Sequence, residues 1–248
     1  MSAFIGSGKI KIAPYGSGAS FGARSFADVG NTSAFQYAFT ENRQELRDYR
    51  DPAGGIDASV ARVESVTGSM DLRHYTPDNL ALALWGETSV LAATPITGES
   101  HVAHFGKFFP TNRLINLTVP PVVTVGADVI PTTDYVVSLG GITFNSTVVS
   151  EDVEDGDTVT VAYTPLAGAD VEALINAAPN VSVFFEGINT VTDKAASVRM
   201  YKCKLGVAAN VPLIGDDFGT LQLTFTVEKD TTVVGSGLSQ FFKMEQET

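Results

Sequence analysis

Residues 221–228 read Leu-Gln-Leu-Thr-Phe-Thr-Val-Glu, and apolar and polar side chains alternate through the whole stretch. A period of two is typical of a β-strand that buries one face and leaves the other face wet or paired. Several other segments repeat the pattern, among them residues 9–15, 65–74 and 158–164. The sequence therefore predicts a protein that is mainly β.

The composition allows a large packed core. The chain has 248 residues, of which 44% are hydrophobic, and its mean hydropathy is +0.12. These values exclude wholesale disorder, and an all-β chain of this length commonly forms a single domain. We predict one domain over residues 1–248, and the sequence leaves open whether a segment at about 120–166 forms an inserted β lobe.

The charge balance is acidic, with 28 Asp and Glu against 16 Lys and Arg and a formal net charge of −12. Tight nucleic-acid binding needs clustered Lys and Arg to neutralise phosphates, so this balance argues against it. The same balance fits a surface that repels nucleic acid, or a protein that is simply kept in solution by its charge.

Cysteine usage and apolar runs indicate the compartment. Cys203 is the only cysteine, so no disulfide can form within the chain. The first residues lack a charged segment followed by an apolar one, which argues against a secretory signal. No apolar run reaches the ~18 residues that a membrane helix needs. We therefore expect no membrane contact and a reducing cytosol as the site of synthesis.

One segment departs from the period of two and has the signals of a helix. Residues 76–86 read Thr-Pro-Asp-Asn-Leu-Ala-Leu-Ala-Leu-Trp-Gly. Thr76 suits the N-cap, Pro77 suits the first helical position, and Gly86 suits the position just past the end. These signals predict a helix at about 77–85. The side chains expected to pack this helix are Leu80, Leu84 and Trp85.

The remaining pattern predicts further elements of weaker definition. A second strand is expected over Phe35–Phe39, and the last third of the chain is expected to be mostly strand. We also expect a strand over 113–119 and a short helix over 169–177.

A charged segment follows the second strand. Residues 41–51 read Glu-Asn-Arg-Gln-Glu-Leu-Arg-Asp-Tyr-Arg-Asp, and they suit either a strand that runs out into an exposed arm or a short surface helix. Pro52 and the pair Gly54-Gly55 favour an arm that turns back. The segment is either a solvated arm or one that pairs its charges with a neighbouring subunit. The residues that offer such charges are Arg43, Glu45, Arg47, Asp48, Arg50 and Asp51.

Motifs for nucleotide or metal chemistry are incomplete. Gly6-Ser-Gly-Lys9 lacks the spacing of a phosphate-binding loop, and Gly16–Gly22 lacks the third glycine of the dinucleotide fingerprint. His101 and His104 lie three residues apart in an expected strand, which places them on opposite faces. Cys203 has no Cys or His neighbour and is expected to be a packed thiol. We therefore predict no catalytic, cofactor-binding or metal-binding residues and no enzyme activity.

The strongest acidic cluster is Glu-Asp-Val-Glu-Asp-Gly-Asp over 151–157. Its spacing lacks the terminal Glu of a calcium loop. Asp155-Gly156 directly precedes a clean strand pattern, which is a standard turn signal. A turn is the favoured interpretation, and a weak divalent-cation site is the alternative.

Taken in order, several segments carry a resemblance to a known family. They are the strand at Phe35–Phe39 with its charged extension, the strand 65–74 that runs into the helix 76–86, and the later segments Val183–Asn189 and Ile214–Phe225. Together they resemble the major tail tube protein of long-tailed (siphovirus-like) bacteriophages. The resemblance extends over most of the chain, and the strand followed by the helix is its most characteristic part.

The resemblance implies an antiparallel β-sandwich with one flanking α-helix, able to form a barrel between subunits. It implies hexameric rings whose sheets close around a lumen and which stack into a tube, with the arm at residues 41–58 touching the adjacent ring. The partners would be further copies of the chain and other tail proteins (tape measure, terminator, distal tail or baseplate). Genomic DNA would pass through an acidic lumen without specific binding. The protein would be made in the bacterial cytoplasm, reside in the virion and need no cofactor.

Two other classes compete with this expectation. One is a monomeric β-sandwich module, from a phage or a bacterium, that binds cells or carbohydrate. Such a module should expose aromatic rings for ligand stacking, and the chain has a single Trp. The other is a β-rich hydrolase, for which no carboxylate pair stands out.

Overall fold

The computed structural model describes residues 3, 5–50 and 52–248. Strand accounts for 51% of the chain and helix for 4%. The single α-helix, α1, spans Pro77–Ala83. The strands in chain order are β1 Gly6–Pro14, β2 Ala27–Asp28, β3 Thr32–Asp48, β4 Gly55–Leu72, β5 Glu87–Leu91, β6 Ile96–Val102, β7 Phe108–Pro110, β8 Val122–Val125, β9 Asp128–Val129, β10 Tyr135–Ser138, β11 Gly141–Phe144, β12 Thr158–Tyr163, β13 Gly168–Glu172, β14 Asn180–Asn189, β15 Lys194–Leu205, β16 Leu221–Glu228 and β17 Phe242–Gln246.

The predicted fold class is confirmed: the protein is mainly β, its sheets are antiparallel, and it has one α-helix. Strand β16 shows why the period of two is informative, because its burial alternates strictly along Leu221–Glu228. The apolar residues of this strand face the core and the polar residues face solvent.

Two predicted elements are wrong. The segment 169–177 is not a helix, because its first residues form β13 and pair with β5 in a two-stranded sheet. The segment 113–119 is irregular and contributes one isolated bridge at Ile115. The side chain of Asn116 there accepts hydrogen bonds from the backbone N–H and the hydroxyl of Thr118, and this local turn interrupts the strand that the alternation predicts.

The chain divides into two compact units. The first contains residues 1–88 and 171–248, and the second contains residues 89–170. The second unit includes the segment at about 120–166 for which the sequence left an inserted lobe open.

The first unit contains one eight-stranded sheet, in which seven strands follow the order β2-β1-β14-β15-β16-β4-β3 and the eighth, β17, pairs with β15. β15 changes partners along its length, since residues 196–200 pair with β17 and residues 202–205 pair with β16. Phe35 of β3 stacks on Phe185 of β14 with ring centroids 5.9 Å apart. Because three strands separate β3 from β14 in the sheet order, this contact means that the sheet folds over into two facing layers, as in a sandwich.

The core of the first unit lies between these layers. Met70 and Leu72 of β4 and Leu221 and Leu223 of β16 are fully buried there. Gly68 of β4 makes room for the ring of Phe225 on the neighbouring strand β16, because a Cβ at this position would lie 2.3 Å from that ring and 2.7 Å from the carbonyl oxygen of Gln36. The ring of Phe225 thus takes the space that a side chain at residue 68 would need.

A buried ion pair holds the glycine-rich segment against the sheet. Arg24 Nη2 lies 3.0 Å from Asp230 Oδ2, and the two side chains are 2% and 1% exposed. Arg24 also donates to Ser182 Oγ and to the carbonyl oxygen of Tyr201, each at 2.6 Å. Burial by itself raises the pKa of Asp230, but hydrogen bonds from Thr232, Arg24 and Tyr15 together outweigh it and lower this pKa.

Helix α1 begins where the sequence predicts. The Thr76 hydroxyl accepts from the Asn79 N–H at 3.2 Å, and Pro77 is the first helical residue. The helix ends at Ala83, two residues earlier than predicted, and Trp85 beyond it has a positive φ of 51°. Within the described part of the chain, no helix is long and apolar enough to cross a membrane.

The residues predicted to pack the helix are all partly buried. Leu80 packs against the core of the first unit. Leu84 and Trp85 are half-buried. Leu84 also accepts at its carbonyl oxygen from the Leu174 N–H at 2.8 Å, so the end of the helix is tied to the segment after β13.

The second unit has its own core between a four-stranded sheet, β6-β12-β8-β9, and a three-stranded sheet, β10-β11-β7. The largest side chains buried in it are those of Phe144, Ile142, Ile115 and Ile130. A separate core of this kind is what an independently packed unit requires.

Replacing Gly68 by Ala should destabilise the first unit. The new methyl group would displace the ring of Phe225, and overpacking of this kind costs about 1–3 kcal/mol. Gly55→Ala, in the same strand, is the matched control because nothing lies within 4 Å of its Cβ position. Urea unfolding should show a lower free energy of unfolding for Gly68→Ala only. Equal values for the two variants would contradict the packing argument.

Asp230→Asn should lower the free energy of unfolding by about 3–5 kcal/mol at neutral pH, because it leaves the guanidinium of Arg24 buried without a charge partner. The folded pKa of Asp230 lies below its ordinary value of 3.8. The stability from the ionised carboxylate is therefore present above that ordinary value and is lost as the pH falls through the lower folded pKa. Urea unfolding should show the difference between wild type and variant narrowing from about pH 5 to pH 2. A constant difference over this range would contradict the assignment.

Candidate functional site

A metal centre is the first kind of site to consider among the described residues. Among them, no group of three or more His, Cys, Asp or Glu side chains could hold a metal ion. The three histidines have separate partners: His101 lies 2.8 Å from Glu99, His104 lies 3.8 Å from Asp155, and His74 accepts from the Asn31 N–H. The histidines therefore do not converge on one site.

A buried acidic network of the second unit is centred on Glu99. Its carboxylate accepts from the Tyr163 hydroxyl at 2.6 Å and from the Asn112 N–H at 2.7 Å, and it lies beside His101. Burial alone raises the pKa of Glu99, but these hydrogen bonds outweigh it and lower the pKa. Burial and the Glu99 carboxylate raise the pKa of Tyr163 to about 12. The network joins β6, β12 and a loop and keeps the tyrosine protonated.

Cys203 is a packed thiol, as predicted. Its side chain is fully buried, and burial raises its pKa to about 12. Because the thiolate is the reactive form of cysteine, this group is not a nucleophile at neutral pH.

The acidic segment 151–157 forms turns, as favoured from the sequence. Gly156 has a φ of +98°, a conformation that suits glycine. Asp155 Oδ1 accepts from the Phe105 N–H at 2.7 Å, and Asp157 Oδ2 accepts from the Glu154 N–H at 2.8 Å. These carboxylates are engaged by the backbone, which favours a structural role for the segment.

The predicted arm is the end of a long β-hairpin. β3 and β4 pair from Thr32 with Leu72 to Asp48 with Gly55. The charged segment is therefore a strand through Asp48, and the alternative of a short surface helix is wrong. The predicted turning point at Pro52–Gly55 is where the chain reverses direction.

The first two predicted contact residues lie together on this hairpin. Arg43 Nε lies 3.5 Å from Glu45 Oε1, and Arg43 Nη2 donates to Ser59 Oγ at 3.4 Å. The arginine is more than half exposed. An exposed pair of this kind contributes at most about 1 kcal/mol, so its charges stay available to a partner.

The other predicted contact residues lie near the tip. Arg50 Nε lies 3.3 Å from Asp48 Oδ1. The Arg47 side chain has no ion pair or hydrogen bond with any residue that the structure describes. Asp51 lies outside the described residues. The structure thus places Arg43, Glu45, Arg47, Asp48 and Arg50 on one hairpin, and it does not test their proposed contact with another copy.

The strand register divides the side chains of the hairpin between two faces. We call the face that continues the row Phe35, Tyr37 and Phe39 the core-side face, because this row points between the two layers of the sheet. By the strand register, the core-side face carries Glu41, Arg43, Glu45 and Arg47 from β3 and Ile56, Ser59, Ala61 and Val63 from β4. The opposite face, which we call the far face, carries Asn42, Gln44, Leu46 and Asp48 with Ala58, Val60 and Arg62.

Both faces of the hairpin expose large apolar side chains. Phe39, Ile56 and Val63 on the core-side face are each more than half exposed, and so are Leu46 and Val60 on the far face. All residues of β4 from 55 to 64 are exposed. Clustered exposed apolar side chains of this kind mark an interaction surface.

The outer edge of β3 is open. β3 is the last strand in the sheet order, and no other described strand pairs with its outer edge. The half of β3 from Thr32 to Thr40 contains no charged residue and no proline, although such residues normally protect an edge from pairing with another chain. This edge is a template for strand addition.

Sequence reasoning missed a second exposed feature, the segment 211–218 between β15 and β16. Its Leu213, Ile214 and Phe218 side chains are 85%, 99% and 92% exposed. Arg73 Nη1 donates to the Phe218 carbonyl oxygen at 2.9 Å, so the segment is fixed to the chain just after β4. The sequence signal here is weak: Leu213, Ile214 and Phe218 flank Gly215-Asp216-Asp217 without a regular period.

Comparison with known proteins adds a family but no activity. No curated protein matches the chain. A family model described as "Protein of unknown function UCP028589" matches residues 3–245, which is nearly the whole chain. The chain therefore belongs to this family of proteins of unknown function.

Proposed function

We propose that this protein is a structural subunit that assembles with copies of itself into stacked, hexameric rings and so forms the tail tube of a long-tailed bacteriophage. The observation that carries the proposal is the β3–β4 hairpin, whose residues 39–47 and 55–64 are exposed on both faces. The hexameric number and the phage tail come from the sequence resemblance.

The hairpin supports assembly because a two-stranded hairpin has little stability on its own. A two-stranded ribbon is marginally stable in water and normally needs a third strand or a packing layer. Past Phe39, no described residue supplies either of these to the hairpin, yet from Phe39 onward its two strands expose five large apolar side chains. Contact with other copies would supply the missing layer.

The open edge of β3 supports the same function. An unprotected edge is an aggregation hazard in a monomer. When the sheets of neighbouring subunits join into one closed barrel, every edge finds a partner and the hazard disappears. A ring of identical subunits is the symmetric way to reach that closure.

The acidic net charge of −12 fits a conduit for DNA. A lumen that shares the sign of the phosphate backbone prevents adhesion while the genome passes. In this proposal the protein resides in the virion, and its partners are its own copies and other tail proteins.

A monomeric cell- or carbohydrate-binding module is the second candidate, and one observation favours it. Phe108 of the second unit is 53% exposed. Its ring lies against Gly141, where a Cβ would come within 2.8 Å of it. Val136 faces the same side by register. An exposed ring held flat on a sheet can stack on a sugar.

Electron microscopy of the concentrated protein, with light scattering of a dilute sample, separates these candidates. Hollow rings or tubes of uniform diameter are expected from a tube subunit. A monomer at every concentration, together with binding in a glycan array that Phe108→Ala abolishes, would favour the second candidate instead.

Reversing two charges of the hairpin, Arg47→Glu with Arg50→Glu, should impair the stacking of rings and leave the monomer folded. Both side chains are exposed, so the fold does not depend on them. Opposing charges at an interface mainly set the register and rate of association, and reversing them introduces repulsion. Tube length and salt tolerance are the measurements, with circular dichroism as the folding control. Tubes of normal length and salt tolerance would show that the hairpin is not the contact.

A further inference from the structure

We propose that the segment 211–218 of one copy docks on the core-side face of the β3–β4 hairpin of a second copy. The inference rests on the proposed function in one respect, because it takes the partner to be another copy of this chain. It adds to that function the surface that receives the hairpin.

The segment 211–218 is held in place by hydrogen bonds and exposes its large apolar side chains to solvent. Leu213, Ile214 and Phe218 are almost completely exposed. The segment is nevertheless held on both sides, because Arg73 donates to the Phe218 carbonyl oxygen and the Ala208 N–H donates to the Ala83 carbonyl oxygen at 2.8 Å. An ordered loop without secondary structure that presents three large apolar side chains is typical of a binding loop.

The charge of this segment is purely negative. Asp216 and Asp217 lie between Ile214 and Phe218, and residues 205–228 contain no Lys or Arg. Neither aspartate has an ion pair or a side-chain hydrogen bond with the described part of the chain. The segment therefore needs a partner that combines apolar contacts with unpaired positive charge.

The core-side face of the hairpin has that combination. It exposes Ile56 and Val63, and it carries Arg43 and Arg47 in the same row. Arg47 has no partner among the described residues. Glu41 and Glu45 lie in the same row and Arg43 is paired with Glu45, so the positive charge left for the aspartates is that of Arg47, opposite the exposed Ile56. An unpaired aspartate of the segment thus matches Arg47, and such complementarity gives an interface its register and specificity.

The two surfaces lie at opposite ends of one strand. Ile56 is near the first residue of β4, whereas Arg73, which holds Phe218, directly follows its last residue. At a rise of about 3.3 Å per residue, the 16 steps from Ile56 to Leu72 span about 50 Å. The segment 211–218 therefore cannot cover the hairpin tip of its own copy. In the stacked assembly proposed above, the contact runs from head to tail between copies, and such a contact repeats without limit unless a ring closes it.

Charge reversal and rescue test this contact. Arg47→Glu alone and Asp217→Arg alone should each raise the concentration needed for assembly at least about tenfold, and the two changes in one chain should restore it. Arg62→Glu is the matched control, because Arg62 is an equally unpaired arginine on the far face. Sedimentation velocity measures assembly, and circular dichroism confirms folding. Assembly of Asp217→Arg at the wild-type concentration, or equal effects of Arg47→Glu and Arg62→Glu, would overturn the inference.

Mixing tests the direction of the contact. A chain with Arg47→Glu has a reversed charge on its hairpin and an unchanged segment 211–218. A chain with Asp217→Arg has a reversed charge in that segment and an unchanged hairpin. Each should stay monomeric alone, and the mixture should assemble with the two chains alternating, because the unchanged segment of the first chain meets the unchanged hairpin of the second and the two reversed charges meet each other. A mixture that stays monomeric, or either chain assembling alone at the wild-type concentration, would overturn the proposed pairing.

Disulfide trapping tests proximity directly. Cys203 is the only cysteine and is buried, so it does not interfere. Mixing Ile56→Cys chains with Ile214→Cys chains under oxidation should give a covalent heterodimer, whereas Val60→Cys on the far face should not. If the wild type assembles but Ile56 and Ile214 do not cross-link, the docking inference fails and the proposed function stands. If the wild type does not assemble and the two cysteine variants do not cross-link, both the docking inference and the proposed function fail.

Discussion

The structure depends on one constraint: β4 is longer than the layer that covers it. Its C-terminal part contributes Val66, Met70 and Leu72 to the core, whereas residues 55–64 are exposed. Two bulges interrupt the period of two along this part of the strand, yet the hairpin still exposes Ile56, Val60 and Val63 to solvent. A strand ladder beyond the core gains hydrogen bonds but little apolar burial. Evolution could shorten such a hairpin without loss to the core, so its length calls for a role outside the core.

The parts of the fold that follow from local chemistry were predictable from the sequence. β16 and the start of α1 are examples, because alternation and capping act within a few residues of the chain. Distant pairings were not predictable. β17 adds to β15 through residues 242–246 and 196–200, and the alternation Phe-Lys-Met-Glu at the start of this segment is too short to indicate which strand it joins. The pair Arg24–Asp230 joins residues 206 positions apart, and no local pattern connects them.

The candidate site was predictable in place but not in detail. The mixed charges before Pro52 located the arm, since an extended charged run followed by glycines suits a strand that turns back. The division of its residues between two faces needed the register, which two irregularities between β3 and β4 shift near Glu64 and Asp57. The segment 211–218 has no period at all, and its importance appears only when its side chains are found uncovered.

Those two irregularities also bear on the direction in which the hairpin points. Each skips one residue of β4 while β3 continues without interruption, which is the pattern of a β-bulge. Bulges bend the strand and increase its right-handed twist. The hairpin therefore leaves the sheet with a direction set by its sequence and not by a flexible hinge. A ribbon aimed in this way loses less conformational entropy on binding than a free loop would, and this gain applies to whichever partner covers it.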